Sequence, residues 1–169
     1  MPITEANAMP GRQEEEHTLA ARVARLEDIE AIKVLKAQYC AACDSDHDPE
    51  LVGALFVEDA VWEASGIIRA EGRPAIKQYM ADLRATGRIR NSAHNVFNPQ
   101  IEVNGDTATG HWRLLMLYTA NIAPGTVQHQ RIIGWYRERY VRSNGQWRYA
   151  SLYCEVEESS AYALEPDKG

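Results

Sequence analysis

Four long extended segments separated by short turns fill the second half of the chain, and this arrangement constrains the fold more than any other feature. The turns contain Asn104–Gly105, Pro124–Gly125 and Asn144–Gly145, pairs that are typical of tight connections. Strands are predicted over residues 93–103, 107–121, 126–142 and 146–157. Because connections this short join adjacent antiparallel strands, the pattern predicts a four-stranded antiparallel meander.

Helical patterns and one hairpin precede the meander. A long first helix is predicted because apolar residues recur every three or four positions. Its apolar stripe consists of Leu19, Val23, Leu26, Ile29, Ile32, Leu35 and Tyr39. Asp48 followed by Pro49 is typical of a helix start, so a short second helix is predicted there. A hairpin with its turn at Ser65–Gly66 and a third helix over residues 72–85 follow.

Helices grouped before a run of strands predict an α+β fold rather than a doubly wound α/β fold. We expect a curved antiparallel sheet that wraps around the long N-terminal helix and leaves a half-open cone. The mouth of such a cone is a natural pocket for a small molecule. The 169 residues suit a single domain, predicted over 13–160, between a mobile tail at 1–12 and a C-terminal tail at 161–169.

Charge and composition limit the partners that the chain can bind. The net charge of −6 disfavours nucleic acid and anionic membranes, because both require a basic footprint. No apolar run approaches the roughly 18 residues of a membrane-spanning helix. The N-terminal stretch lacks the basic-then-apolar order of a signal peptide, and the three cysteines lack the spacing of a disulfide framework. We therefore expect free thiols and a cytoplasmic protein.

The segment "AQYCAACDSDHD" at residues 37–48 ends the first helix with two thiols and several carboxylates. Cys40 and Cys43 form a CxxC pair, but a thioredoxin-like pair follows a strand and opens a helix. A zinc site needs four ligands, and the chain has no second CxxC and no HxxxH pattern. We expect two buried apolar cysteines and no metal. Asp48 fits a capping role, and His47 lies in a turn.

Asp44 and His94 are the candidates for proton transfer. Asp44 directly follows the apolar stripe, where the helix still faces the core, and an acid there is unfavourable unless it is paired. The alternative is a solvated aspartate at the helix end. His94 opens a strand on the same face as Val96, so it is either a hydrogen-bonded core residue or a base. The residues alone leave both pairs of alternatives open.

The two faces of the predicted sheet are both rich in large apolar side chains. One face, together with the hairpin, carries Trp62, Trp112, Leu114, Met116, Tyr118 and Tyr136. These residues either fill the core or form the wall of a pocket for a flat apolar ligand. The opposite face carries Leu115, Leu117, Ile133 and Trp135. Because this second set is too apolar for a free surface, we expect a homo-oligomer, either a dimer or a trimer.

Four segments of the chain resemble the nuclear-transport-factor-2-like superfamily of α+β cone proteins. They are "DIEAIKVLKAQYCAACD", "EDAVWEASG", "SAHNVFNPQIEVNGDTATGHW" and "GWYRERYVRSNGQWR". The resemblance covers about residues 18–157. Within the superfamily, the chain is similar to the dehydratase and cyclase branch, which includes bile-acid 7α-dehydratase, scytalone dehydratase and hexachlorocyclohexane dehydrochlorinase.

The resemblance implies site residues and a reaction. The aspartate that closes the first long helix in this branch matches Asp44, and its dyad partner, the histidine after the third helix, matches His94. A tyrosine five residues before the aspartate matches Tyr39. His94 would remove a C–H proton next to a carbonyl, Asp44 would fix the tautomer of the imidazole, and Tyr39 would donate to the developing oxyanion. This implies a cofactor-independent lyase of the dehydratase type.

Two family features have no match here, and two alternatives follow. A pocket tyrosine of the hairpin would lie near Ala64, and a C-terminal arginine has no counterpart, so the leaving group is not predicted. One alternative is a ketosteroid-type isomerase or a cyclase, with Glu138 or Glu155 as a carboxylate base on the sheet for the isomerase. The other is a cone that only binds a ligand or a protein partner. For the enzyme, we expect a flat, apolar substrate such as a steroid, polyketide or aromatic compound.

Overall fold

The computed structural model describes residues 18–66 and 68–163. Helices in these parts of the chain are α1 (Leu19–Asp44), α2 (Pro49–Gly53) and α3 (Arg73–Ala85). The strands are β1 (Phe56–Ala64), β2 (Ile68–Glu71), β3 (Ile89–Asn104), β4 (Thr107–Ala123), β5 (Thr126–Ser143) and β6 (Gln146–Tyr162). The predicted α+β class and the predicted order of elements are confirmed.

The long strands extend beyond their predicted limits. β3 begins at Ile89 rather than at residue 93, and β6 continues to Tyr162 rather than ending at residue 157. The reason is the length of the β5–β6 ladder, which still pairs His129 with Tyr162. Residues 161 and 162, predicted to begin the C-terminal tail, are therefore part of β6. The predicted tail at 1–12 and residues 164–169 lie outside the described residues.

All six strands form one sheet in the order β2-β1-β6-β5-β4-β3. β3 to β6 form the predicted antiparallel meander, with the predicted turns between them. The hairpin joins the sheet through a parallel pairing of β1 with β6, in which Trp62 lies opposite Leu152 and Ala64 opposite Cys154. Because of this pairing, the hairpin continues the curved sheet and brings Trp62 to the same concave surface as the meander.

Irregularities in the strand pairing bend the sheet. The β5–β6 register shifts between Ile133 and Gly134, and the β3–β4 register shifts between Phe97 and Gln100. Such bulges increase local twist and curvature. At Gly134 the backbone of β6 comes so close that an added Cβ would overlap the carbonyl oxygen of Glu155. Glycine is therefore required at this position for the sheet to keep its curvature.

The C-terminal half of α1 packs into the concave face, chiefly against β3 and also against β6. Ile32, Leu35 and Tyr39 of the predicted stripe are buried. The first part of the stripe differs from the prediction: Leu19 and Leu26 are 73% and 65% exposed, because the sheet covers only the later turns of the helix. No helix in the described parts of the chain is both long and apolar enough to cross a membrane.

A fully buried ion pair connects α1 to β5. Nζ of Lys36 lies 2.6 Å from Oε1 of Glu138, and both side chains are completely buried. The Tyr140 hydroxyl donates a hydrogen bond to the same carboxylate. The ammonium group also lies 3.3 Å from the centre of the Tyr136 ring. The pair, its hydrogen bond and its ring contact satisfy charges that would otherwise be unfavourable in the core.

Candidate active site

A cavity of about 190 Å³ lies between the end of α1, helix α3 and the concave face of the sheet. Its wall is mostly apolar with a small number of polar groups, which is typical of small-molecule sites. The residues on the wall are Tyr39, Cys43, His47, Trp62, Ala64, Tyr79, Met80, Leu83, Ile89, His94, Leu114, Met116, Tyr118, Ile132, Tyr136, Cys154 and Val156.

His94 and Asp44 are in contact at the edge of this cavity. Nδ1 of His94 lies 2.6 Å from Oδ1 of Asp44, and the His94 side chain is only 7% exposed. Asp44 ends α1 and His94 lies in β3, so the packing of α1 on β3 brings them together. Because a carboxylate accepts the Nδ1 proton, Nε2 carries the lone pair, and the ring lies on the cavity wall. This arrangement is suited to a base.

Two further hydrogen bonds stabilise the charged form of Asp44. The backbone N–H of His94 donates to Oδ2 at 2.9 Å, and the Ser92 hydroxyl donates to Oδ1 at 2.8 Å. Burial by itself would raise the pKa of Asp44. The hydrogen bonds from the His94 ring, the His94 backbone and Ser92 outweigh that effect, so the pKa lies below its usual value. Asp44 is therefore a carboxylate at neutral pH.

Tyr39 lies on the cavity wall, whereas Asp44 stands behind His94. Two residues five positions apart on α1 therefore belong to the same site: Tyr39 forms part of the cavity wall, and Asp44 binds His94. The Tyr39 hydroxyl accepts a hydrogen bond from Nε1 of Trp62 at 2.9 Å. Burial raises the pKa of Tyr39 well above its usual value, so the phenol keeps its proton. The phenol therefore carries a proton that it can donate, and the Cys43 thiol lies beside its hydroxyl.

The predicted aromatic wall is present, with one correction. The cavity is lined by Trp62, Leu114, Met116, Tyr118 and Tyr136. Trp112 lies on the inner face of β4 with Leu114, Met116 and Tyr118 but does not reach the cavity. Alternate side chains on a strand are about 7 Å apart, and the Trp112 indole instead donates to the Tyr140 hydroxyl at 3.1 Å. Trp112 is therefore a core residue.

His47 belongs to the cavity wall, although the sequence pattern places it only in a turn. The residue is 6% exposed, and its ring centre lies 6.3 Å from that of His94. It follows the end of α1, where Asp46 and His47 have φ values of 58° and 53°. Asp48 caps α2 by accepting from the backbone of Glu50 at 2.9 Å. The sequence pattern predicts the turn and the cap, but it does not show that the His47 ring lies on the cavity wall.

Other wall residues were also missed by the sequence analysis. Tyr79 of α3 packs on Trp62 with ring centres 4.9 Å apart. Cys43 and Cys154 contribute thiols, and burial raises the pKa of Cys43 to about 12 and that of Cys154 to about 11. Thiols with such pKa values are not nucleophiles at neutral pH. Tyr79 and the two cysteines therefore line the cavity and are not reactive groups.

The two alternative carboxylate bases do not reach the cavity. Glu138 is buried in its pair with Lys36. Glu155 lies between Cys154 and Val156, both on the cavity wall, so alternation directs Glu155 to the outer face, where the Tyr153 hydroxyl donates to it. In the parts of the chain that the structure describes, no three His, Cys, Asp or Glu side chains are grouped as metal ligands would be.

Fold and cavity together define an α+β cone protein of the nuclear-transport-factor-2-like type with a ligand-sized hollow. The chain belongs to the SnoaL-like domain family, whose model matches residues 24–153. This membership confirms the predicted superfamily. No curated protein sequence matched the chain.

Solved structures share this fold. A proposed scytalone dehydratase from Novosphingobium aromaticivorans is 24% identical, with a TM-score of 0.72 over 83% of this chain and 91% of that chain. A hexachlorocyclohexane dehydrochlorinase, LinA type 3, from Novosphingobium barchaimii is 22% identical, with a TM-score of 0.72 over 84% and 94%. An NTF2-like protein with a cystatin-like fold from N. aromaticivorans is 28% identical, with a TM-score of 0.63 over 89% and 93%.

Proposed function

We propose that the protein is a cofactor-independent lyase of the dehydratase type, in which His94 and Asp44 remove a C–H proton from a small apolar compound. The observation that carries this proposal is the 2.6 Å contact between Nδ1 and the carboxylate, with the same ring on the wall of an apolar cavity. A subunit that only binds a partner has no need of a charged carboxylate held against a cavity histidine. The dehydratase and dehydrochlorinase among the structural neighbours support a lyase.

The size of the cavity favours a substrate of one or two rings. The cavity measures about 190 Å³. An engineered protein cavity of roughly 150 Å³ binds benzene, whereas sites for drug-sized ligands begin near about 300 Å³. Of the three compound classes expected from the sequence, an aromatic or small polyketide-like ring compound fits this volume. A four-ring steroid would require the cone to widen.

The proposed reaction is the elimination of water from a β-hydroxy carbonyl compound. Nε2 of His94 takes the proton from the carbon next to the carbonyl, and Asp44 stabilises the imidazolium that forms. Tyr39 donates a hydrogen bond to the carbonyl oxygen as charge develops on it. The electron pair then forms the new double bond as the C–O bond breaks. The departing hydroxide takes a proton from the imidazolium and leaves as water, which restores neutral His94.

The ketosteroid-type isomerase is the weaker candidate. That reaction uses a carboxylate base on the sheet, but neither carboxylate considered for it lines the cavity: Glu138 is buried in its pair with Lys36, and Glu155 lies on the outer face. An isomerase that used His94 as its base would share the first step with the proposed lyase. The two reactions differ only in the fate of the electron pair, so the products distinguish them.

The test is proton abstraction measured directly. One- and two-ring β-hydroxy ketones that raise the melting temperature are incubated with the protein in D₂O, and NMR follows loss of the C–H signal and formation of the enone. Wild-type protein should catalyse both. His94→Gln should lower the rate at least about a hundredfold, because general-base catalysis contributes about 10²–10⁴-fold.

The matched control is His111→Gln, which changes an exposed histidine on β4 outside the cavity. It should keep the wild-type rate. Equal exchange rates in wild type and His94→Gln would contradict the proposed base.

We also propose a cytoplasmic location and a homo-oligomer formed through the outer face of the sheet. All three cysteines are free thiols, which supports a reducing compartment. On the outer face Leu117 is 37% exposed, and Arg137 lies 4.7 Å from the ring centres of both Trp135 and Tyr153. An apolar and aromatic surface of this kind supports contact with a second copy of the chain.

A further inference from the structure

His47 is a buried polar side chain that the proposed reaction does not use. The residue is 6% exposed, and its ring lies on the cavity wall. Its backbone N–H donates to the carbonyl oxygen of Cys43 at 3.0 Å. Among the residues that the structure describes, none forms a hydrogen bond with the ring nitrogens. A ring on a cavity wall whose nitrogens have no protein partner is suited to meet a ligand.

The chain holds this ring in place through an uncommon backbone conformation. Asp46 and His47 both have positive φ values, which few residues other than glycine adopt. The Asp48 side chain caps α2 immediately after the turn, and Arg84 of α3 pairs with Asp46 at 2.9 Å. Unusual backbone conformations that the surroundings impose are concentrated at functional sites. Here the consequence is that the imidazole lies on the cavity wall instead of in solvent.

The two histidines of the cavity lie close together but differ in their partners. Their ring centres are 6.3 Å apart and the rings cross at 72°. His94 is bound to Asp44 through Nδ1, whereas both nitrogens of His47 are available. Burial and the neighbouring His94 lower the pKa of His47, against the opposing effect of Asp46 and Asp44. Neutral imidazole offers one N–H donor and one acceptor nitrogen.

We propose that His47 is the polar anchor of the cavity and hydrogen-bonds an oxygen atom of the substrate next to the carbon from which His94 removes a proton. The inference rests on the proposed function in taking this cavity as the substrate site. It adds a residue that recognises the proposed one- or two-ring substrate: His47 binds the hydroxyl or carbonyl group at its reacting end. The rest of the compound contacts apolar wall residues such as Leu114 and Ile132.

The test compares two compounds of similar shape, 2-naphthol and 2-methylnaphthalene, which differ by a hydroxyl in place of a methyl group. Dissociation constants of both are measured by NMR titration against the full chain. In His47→Phe the ratio that favours 2-naphthol should fall about tenfold, because one hydrogen bond is lost while ring volume is kept. The matched control, His111→Phe, replaces an exposed histidine outside the cavity and should leave the ratio unchanged.

A second variant keeps the test decisive if phenylalanine disturbs the turn. Glycine adopts positive φ readily and has no polar side chain, so His47→Gly should fold and show the same loss. His47→Gln, which returns an amide near the position of a ring nitrogen, should recover part of the ratio.

A wild-type ratio in folded His47→Phe or His47→Gly would overturn the anchor, as would failure of both compounds to bind wild type. The deuterium exchange test is separate from this one. If His94→Gln keeps full exchange while His47→Phe loses the binding preference, the proposed base is wrong and the anchor stands.

Discussion

Asp44 keeps its charge in a half-buried position because the donors around it belong to one short stretch of β3. Ser92 and His94 supply a hydroxyl, a backbone N–H and a ring nitrogen to a single carboxylate. The same contacts orient the imidazole and set its tautomer. A change at Asp44 therefore alters the position of the proton on His94 as well as the charge behind it.

Asp44→Asn should lower the turnover rate at least about a hundredfold while the protein stays folded. The amide NH₂ donates to Nδ1, so the ring proton moves to Nε2 and the lone pair no longer faces the cavity. The measurement is kcat for the compound found in the exchange screen. Ser92→Ala is the control, since it removes one donor to Asp44 but keeps the dyad, and its loss should be much smaller. A wild-type kcat in Asp44→Asn would remove Asp44 from the mechanism.

Asp44 also predicts a pH dependence of stability. Its pKa is lower in the folded chain than the usual value of 3.8, so the unfolded chain binds the proton more readily. The resulting stabilisation is complete above pH 3.8 and is lost as the pH falls through the lower folded pKa. The free energy of unfolding from urea titrations should therefore fall more steeply below about pH 4 in wild type than in Asp44→Asn. Equal slopes would contradict this account.

The control is Asp59→Asn, which removes an exposed carboxylate of β1. It should keep the acid dependence of the wild type.

At the scale of elements, the Lys36–Glu138 pair connects α1 to the sheet below the cavity. Lys36→Met should reduce the free energy of unfolding by about 3–5 kcal/mol, because it leaves the Glu138 charge buried without its partner. Lys36→Met combined with Glu138→Gln should recover a large part of this loss, since no net charge then remains. Urea unfolding of the single and double variants measures the coupling. Additive losses would show that the pair acts only through its volume.

Local patterns predicted most of the elements but only part of the site. Tight-turn pairs such as Asn104–Gly105 specify their own geometry, so the meander could be predicted. The dyad was found through the family resemblance. The buried pair of Lys36 with Glu138 was not predicted, because the two residues are 102 positions apart and local patterns do not reveal contacts at that separation. The direction of the His47 ring depends on how the turn packs against α3, which local sequence does not show.

At the scale of the whole molecule, the apolar side chains exposed among the described residues include two groups. One is the outer sheet face with Leu117, and the other is the start of α1 with Leu19 and Leu26. We expect the sheet face to form the contact between copies. Leu117→Glu should convert a dimer or trimer to a monomer in sedimentation velocity, because a charge in an apolar contact is unfavourable. Leu26→Glu serves as the comparison and should leave the assembly intact. The opposite pattern would assign the contact to the helix.

The close approach of β5 and β6 at Gly134 limits how this protein can change over evolutionary time. Any side chain at position 134 would push β5 and β6 apart, so the curvature of the sheet depends on this one backbone contact. Substitutions of side chains on the cavity wall, such as Leu114 and Met116, are not limited by a backbone contact of this kind. Substitutions on the cavity wall can therefore change which ligand fits, while the curvature of the sheet is kept.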